Sequence, residues 1–278
     1  MKISVISPVF SAVSTISMAI ESVLLQSYKN WEHIVVDGGS ADGTVDILVK
    51  YKHLNWISEP DQGQVHAMQK GFALATGEII VYLNADDYFL PGAFEAIIDQ
   101  FKSGAEFVVG NVLVVSERMQ ATRLNKPKIS LPEMLRHWKA DAYCYNPVGY
   151  FYRRQVQETC PFNTFNNATM DLEFLLSAAT KFKFTKVEKT LGCYVDALAA
   201  KTHQIQSTSD YWRPENFPYI DNYIANWPLQ QRLAFQRERE AGYRRIARFW
   251  KRMERQRRIR SWLKKKFGQK SLPKDCQY

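Results

Sequence analysis

Over the first hundred residues, apolar and polar positions separate by segment. The opening run "ISVISPVF" is almost continuously apolar, as a strand buried on both faces requires. It is followed by "STISMAIESVLLQS", in which Ile16, Ala19, Ile20, Val23 and Leu24 recur at helical spacing. "HIVVD" predicts a second strand, "GGSADGT" a turn, "VDILVKY" a short helix and "LNWIS" a third strand. "GQVHAMQKGFALA" predicts a helix with Val65, Met68, Phe72 and Ala75 on its buried side. "EIIVYL" predicts a fourth strand, and "PGAFEAIIDQF" a helix opened by Pro91. Strands and helices alternating with short connections predict an α/β fold with a central, mostly parallel sheet flanked by helices.

Beyond residue 105 the pattern changes. "EFVVGNVLVVS" and "NPVGYFYRR" read as strands, "LPEMLRHW" as a short helix, and "TMDLEFLLSAAT" as a helix with an acid in its first turn. "FKFTKVEKTLGCYV" reads as a further strand pair. This half is expected to be mixed, to extend the same sheet and to close over the site.

In parallel sheets, ligands bind beyond the carboxyl ends of the strands. Four polar clusters fall there: Pro8-Val9-Phe10, Asp37-Gly38-Gly39-Ser40, Glu59-Pro60-Asp61-Gln62-Gly63 and Asn84-Ala85-Asp86-Asp87. Adjacent carboxylates at Asp86 and Asp87 repel one another. A divalent cation, sugar hydroxyls or plain solvation at a turn would each accommodate them. Each residue also has a plainer reading. Asp37 could shape a turn before Gly-Gly, Asp61 could cap a helix, Lys70 could be a solvated surface cation, and Asp171 could be a first-turn acid favoured by the helix dipole. His203 is a lone histidine after the last strand. Trp138, Tyr143, Tyr145, Tyr150 and Tyr152 could be core or a sugar-stacking wall.

Charge divides the chain in two. Sixteen Lys and Arg against three Glu between Leu229 and Lys270 give a local net of +13, more than the whole chain's +9. A mildly acidic body therefore carries a basic tail. In that tail Ile246, Phe249, Trp250 and Met253, then Ile259, Trp262, Leu263 and Phe267, recur at helical spacing. The stripe slips between Met253 and Ile259, which suggests two short segments rather than one helix. Apolar aromatics opposite Lys and Arg fit a helix lying on an anionic membrane surface; a solvated, partly packed helix is the alternative. Nothing in the body has the pattern of a base-reading module, so nucleic acid is not an expected partner. Four scattered cysteines form no CxxC pair, no apolar run reaches a membrane span, and no leader-like segment opens the sequence. The expected location is cytoplasmic, peripheral at the inner face of the cell membrane.

"ISVISPVF", "VVDGGSADGT", "SEPDQGQVHAMQKGFALATGEIIVYLNADD" and "MDLEFLLSAA", in that order, resemble the inverting glycosyltransferases of family 2, which have the GT-A fold. The likeness covers roughly residues 1–200 and is most specific from Ser58 to Asp87. It implies a GT-A domain over residues 1–205, with a nucleotide-sugar half (1–104) and an acceptor half (105–205), followed by a basic helical region over 206–278.

The resemblance also implies a nucleotide-diphosphate-sugar donor, usually a UDP-sugar, and Mg²⁺ or Mn²⁺. By it, Asp37 accepts a hydrogen bond from the base, and Pro8 and Phe10 frame the ring. Asp61, Lys70 and Asn84 fall among the donor contacts. Asp86 takes ribose or sugar hydroxyls. Asp87 ligates the metal, with His203 in a region where relatives place a metal or phosphate ligand. Asp171 matches the general base that deprotonates a saccharide or lipid-linked saccharide acceptor. The transferred group would be a hexosyl or N-acetylhexosaminyl unit, in glycan or polysaccharide assembly.

His66 stands where relatives often carry Asp, and the absence of a QxxRW motif argues against a processive polymer synthase. A nucleotidyltransferase, the nearest rival, would need a Gly-rich basic loop after the first strand, where this chain has "SPVFSAVST". A non-catalytic nucleotide-sugar or membrane adaptor would not need Asp37, Asp86, Asp87 and Asp171 together.

Overall fold

The computed structural model describes residues 1–166, 168–196 and 211–267, with side chains as far as Gln256. The chain divides into two compact units, residues 1–198 and 199–278.

In the first unit, strands β1 (Ile3–Val9), β2 (Trp31–Asp37), β3 (Leu54–Ser58) and β4 (Ile79–Tyr82) run parallel in the order β3-β2-β1-β4. Helices α1 (Ile16–Leu24), α2 (Thr44–Leu48) and α3 (Gln64–Leu74) connect them. All seven residues of β1 are buried, which is why its apolar run is unbroken. Its two serines are hydrogen-bonded: Ser4 to Glu32 and to the Gly77 amide, Ser7 to the His33 ring. Helix α3 lies on β1 at Gly71, where a Cβ would collide with Ile6. Gly71→Ala is therefore expected to cost about 1–3 kcal/mol by overpacking. Thermal denaturation reads this directly, and an unchanged Tm would mean that α3 can back away from the sheet.

The second half of this unit adds β5 (Tyr88–Phe89), α4 (Ala93–Lys102), β6 (Phe107–Ser116), β7 (Ala121–Asn125), α5 (Leu131–Met134), β8 (Tyr150–Arg153), α6 (Arg154–Thr159), α7 (Met170–Ala179) and β9 (Phe184–Asp196). The sheet continues from β4 as β8-β6-β9-β5, with β7 paired to β6. Strand β8 is antiparallel to both β4 and β6, β6 is parallel to β9, and β5 is antiparallel to β9. One sheet thus runs through both halves, parallel in the first and mixed in the second. An aromatic core fixes the second half. Phe107 stacks on Phe184 at 4.0 Å and on Tyr152 at 5.3 Å, and Phe162 stacks on Phe174 at 4.3 Å.

Residues 184–196 form one 13-residue strand, not the expected strand pair. Opposite β6 its register passes from Val109↔Lys186 to Asn111↔Thr190. The interruption that reads as a turn is an irregular bulge, and Lys186 Nζ crosses it to Asn111 Oδ1 at 2.6 Å.

In the second unit, α8 (Ile220–Ile224) precedes α9 (Leu229–Phe267), a single helix of 39 residues in place of the two expected segments. Phe235, Arg239 and Tyr243, spaced four apart, are its buried stripe. Arg239 pairs with Asp221 of α8 at 3.0 Å, Trp227 meets Phe235 edge-on at 5.4 Å, and Phe217 lies 5.6 Å from Tyr243. Farther along, Phe249 is 54% exposed. No described helix is long and apolar enough to cross a membrane.

Candidate active site

The parallel pairing brings the four polar clusters to one sheet edge. Val9, Asp37 and Ser58 stand in register there, and the chain leaves β4 beside them into Asn84–Asp87. Past β1, Ser11 takes a left-handed backbone (φ 50°) and its amide is held by Ser40 Oγ at 2.7 Å. The preceding Phe10 is left 69% exposed, whereas Pro8 is buried within the strand. Of the two residues expected to frame a base, only Phe10 reaches the surface.

Asp37 does not face the cleft. It is fully buried, and its Oδ2 accepts the Ser58 hydroxyl at 2.6 Å and the Ser40 and Gly39 amides at 2.9 and 3.2 Å. Its Oδ1 accepts the Ser40 hydroxyl. With four donors already satisfied, this carboxylate organises the Gly-Gly-Ser turn instead of reading a base. Asp61 does reach the edge, half-buried, with Oδ1 accepting the Gly63 amide at 2.8 Å. Lys70 is turned to Glu59 at 2.7 Å and to the Pro60 carbonyl at 3.2 Å, so its charge is spent on the loop that carries Asp61. His66 Nδ1 accepts the Gln62 amide in the same loop.

The carboxylate pair is unequal. Asp87 is completely buried. Its Oδ2 accepts the Asn84 and Asn146 side-chain amides at 2.9 and 2.8 Å, and its Oδ1 the Val195 amide at 3.0 Å. Asp86 is half-buried and takes no side-chain donor from the described residues. Burial pushes both carboxyls up, and for Asp87 the neighbouring Asp86 charge adds to it. Asn84 is oriented by Gln64, whose Nε2 meets its Oδ1 at 3.1 Å. The expected division of labour is thus reversed in geometry: Asp87 is an anchor, and Asp86 is the carboxylate with open oxygens. Among the described residues no group of three His, Cys, Asp or Glu could hold a metal unaided.

Asp171 opens α7 as expected. Its Oδ1 accepts the hydroxyl of the fully buried Tyr150 at 2.6 Å. Burial pushes the Asp171 carboxyl up to about 6, against the lowering effect of that hydrogen bond. Removing the bond while keeping the ring, Tyr150→Phe, should raise this value further. The acid limb of any Asp171-dependent rate would then move up by roughly one pH unit. A pH–rate profile of the two proteins reads the shift; coincident acid limbs would separate Tyr150 from the function of Asp171.

Asn146 and Tyr150 lie four residues apart on one segment, so a single strut, residues 144–150, ties Asp87 to Asp171. Neither residue stands out in the sequence by charge. The readable signal was Asn before Pro147, and Asn146 does cap the short turn Pro147–Gly149 through the Val148 amide. Of the aromatic group, Trp138, Tyr150 and Tyr152 are core, while Tyr143 and Tyr145 are half-buried and meet edge-on at 6.1 Å beside Tyr194. His203 lies outside the described residues.

Residues 4–170 match the sequence profile described as glycosyl transferase family 2, which is more than half of the chain. The chain belongs to glycosyl transferase family 2. Within the family it is 32% identical over 173 residues to an uncharacterised glycosyltransferase of Nostoc sp., covering 57% of this chain and 52% of that protein. It is 29% identical over 140 residues to the Escherichia coli UDP-Glc:alpha-D-GlcNAc-diphosphoundecaprenol beta-1,3-glucosyltransferase WfgD, covering 49% and 55%. The chain therefore spans about half the length of these relatives. The fold is also similar to that of S. aureus TarS, crystallised with UDP-GlcNAc, at a TM-score of 0.65 and 16% identity over 81% of this chain and 67% of that one. The GT-A architecture expected from the sequence is thus the observed one.

Proposed function

We propose that this family 2 enzyme is an inverting transferase. It would move a hexosyl or N-acetylhexosaminyl group from a nucleoside-diphosphate donor of the UDP-sugar type to a hydroxyl of a saccharide or lipid-linked saccharide. The observation that carries this reading is Asp171, a single carboxylate held by Tyr150 with its pKa raised to about 6. At neutral pH it is ionised, yet basic enough to accept a proton. The acceptor hydroxyl gives its proton to Asp171 as its oxygen bonds to the anomeric carbon. The bond from that carbon to the diphosphate oxygen breaks, and the nucleoside diphosphate leaves. One displacement inverts the centre, and no enzyme nucleophile is needed. The glucosyltransferase named above and the UDP-GlcNAc complex of TarS support the donor class.

The residues present fit a divalent cation. Asp86 offers open, hard carboxylate oxygens beside a second acid, and Mg²⁺ commonly takes one or two carboxylates plus substrate phosphates. When bound, Mg²⁺ or Mn²⁺ would neutralise charge on the departing diphosphate. Incubation with UDP-, GDP- and dTDP-sugars, with and without metal, tests the reading. Metal-dependent thermal stabilisation by one donor class supports it, and stabilisation by none removes it.

The basic face of α9 is assigned to an anionic membrane surface at the inner side of the cell membrane, where a lipid-linked acceptor would be held. Arg244, Arg245, Arg248, Lys251, Arg252 and Arg255 are exposed there, beside the exposed Phe249. Replacing these six by Gln leaves Phe235, Arg239 and Tyr243 untouched. It should abolish most co-sedimentation with anionic vesicles at physiological salt, since each surface cation contributes about 1 kcal/mol. Undiminished vesicle binding would assign the helix a packing role.

A further inference from the structure

The second unit contains a cavity of its own. It encloses about 380 Å³ between the segment Trp212–Pro214 and one face of α9. Tyr243, Ala247 and Lys251, spaced four apart, form that face with Arg244 beside them. Ala247 offers only a methyl group, which leaves the recess between Tyr243 and Lys251 open. Trp212 walls the cavity, half-buried, with its ring 6.2 Å from those of both Phe217 and Tyr243.

Three cations line the cavity, Arg213, Arg244 and Lys251, against one acid, Glu240, so the lining carries a net +2. Glu240 meets Arg244 at 3.5 Å, and Lys251 has no ion pair among the described residues. A further cation lies close by. Arg239 is buried, and its Nε and Nη1 find no hydrogen-bond partner among the described residues. Asp221, with which it pairs, is exposed. Burial pushes the Tyr243 hydroxyl up and the Arg239 charge acts against it, which puts this cation next to the cavity lining. A buried charge met so incompletely adds positive field where salt screens it least.

We propose that this cavity is a discrete site for a dianionic phosphate ester, and that the ester is the headgroup of a membrane lipid. Charge sets the class: a phosphate monoester carries about −1.5 to −2 near neutral pH, which matches the lining. Two guanidinium forks suit the several oxygens of a phosphate. Trp212 gives the esterified side of the group an apolar wall. The lipid source follows from the surroundings. Arg244 and Lys251 belong to the exposed basic stretch that runs to Arg255, with Phe249 exposed within it. The inference rests on the membrane reading above and replaces part of a diffuse attraction by one saturable site.

Co-sedimentation of the full chain with two kinds of vesicle, matched in surface charge, tests this. One carries phosphatidate, a monoester; the other carries phosphatidylglycerol, a singly charged diester. The parent should bind the phosphatidate vesicles about 10-fold more tightly, the size of one charge-assisted hydrogen bond. Arg213→Gln with Lys251→Gln should abolish that preference, and both positions are exposed, so the fold should be kept. Arg245→Gln with Arg252→Gln removes the same charge from residues of α9 that do not line the cavity. It should weaken binding to both vesicles alike and keep the preference. Soluble glycerol phosphate should release the protein from phosphatidate vesicles only in large excess. Release at concentrations equal to the lipid would make the ligand a soluble ester and overturn the lipid assignment. No preference in the parent, or equal effects of the two double variants, overturns the inference and leaves the membrane reading standing. Binding to neither vesicle overturns both.

Discussion

Turnover of Asp171→Asn is expected to fall by about 10²–10⁴-fold, the usual contribution of a positioned base. The substitution keeps the size of the side chain and a partner for the Tyr150 hydroxyl, and it removes only basicity. Donor affinity, measured by calorimetry, should be unchanged, because nothing in the donor cluster touches this side chain. In the parent enzyme the rate should rise with pH through an inflection near 6, where the Asp171 carboxyl ionises. The sign follows from its burial: a carboxyl pushed up is protonated, and idle as a base, below that value. In Asp171→Asn this inflection should vanish along with the rate. A variant with near-normal turnover and an intact acid limb would return Asp171 to a helix-opening role.

The second large effect should separate the adjacent carboxylates. Asp86→Ala removes an oxygen set that takes no side-chain donor, so it should melt near the parent temperature. UDP affinity in Mn²⁺ should drop to the metal-free level, about 10–100-fold, the range of one or two charge-assisted contacts. Asp87→Ala should fail differently. It leaves the Asn84 and Asn146 amides and the Val195 N–H without their acceptor in a buried site. An unmet buried donor costs about 1–3 kcal/mol, so a loss of several kcal/mol is expected. For a chain of this size that is roughly 10 °C in Tm. Paired calorimetry and melting curves decide it. An Asp87→Ala protein that melts normally but has lost its metal response would exchange the two assignments.

These residues also mark what could be read in advance. Strands β1 to β4 were legible because burial on both faces leaves continuous apolar runs that few other structures produce. From their parallel order, the gathering of four clusters at one edge followed. Strands β5 and β7 were not legible: Tyr88–Phe89 is two residues long, and Ala121–Asn125 is exposed at four of its five positions, with no apolar alternation to mark it. Helix α6 begins directly where β8 ends, with no turn residue between Arg153 and Arg154. Within the site, sequence supplied the carboxylates but not their direction. Asp86 and Asp87 are adjacent and chemically identical, and only the fold decides which turns inward toward Asn84 and Asn146. Asp37 and Asp61 pose the same problem across two loops, since a fully buried, turn-shaping Asp and a half-buried Asp at the sheet edge are written with the same letter. The position of Asp171 in the first turn of α7 was legible, because the apolar run after it marks where the helix starts.

The strut from Cys144 to Tyr150 bears on how such an enzyme can diversify. Asn146 donates to Asp87 and Tyr150 donates to Asp171, so any shift in this segment disturbs both carboxylates at once. Its substitutions should be strongly epistatic, because residues sharing one hydrogen-bonded network do not contribute independently. Exposed positions away from it, such as those of β7 and Phe165, which stands 96% exposed, should instead combine additively. The seven-residue strut thus sets where the effects of double substitutions can be predicted from the single ones and where they have to be measured together.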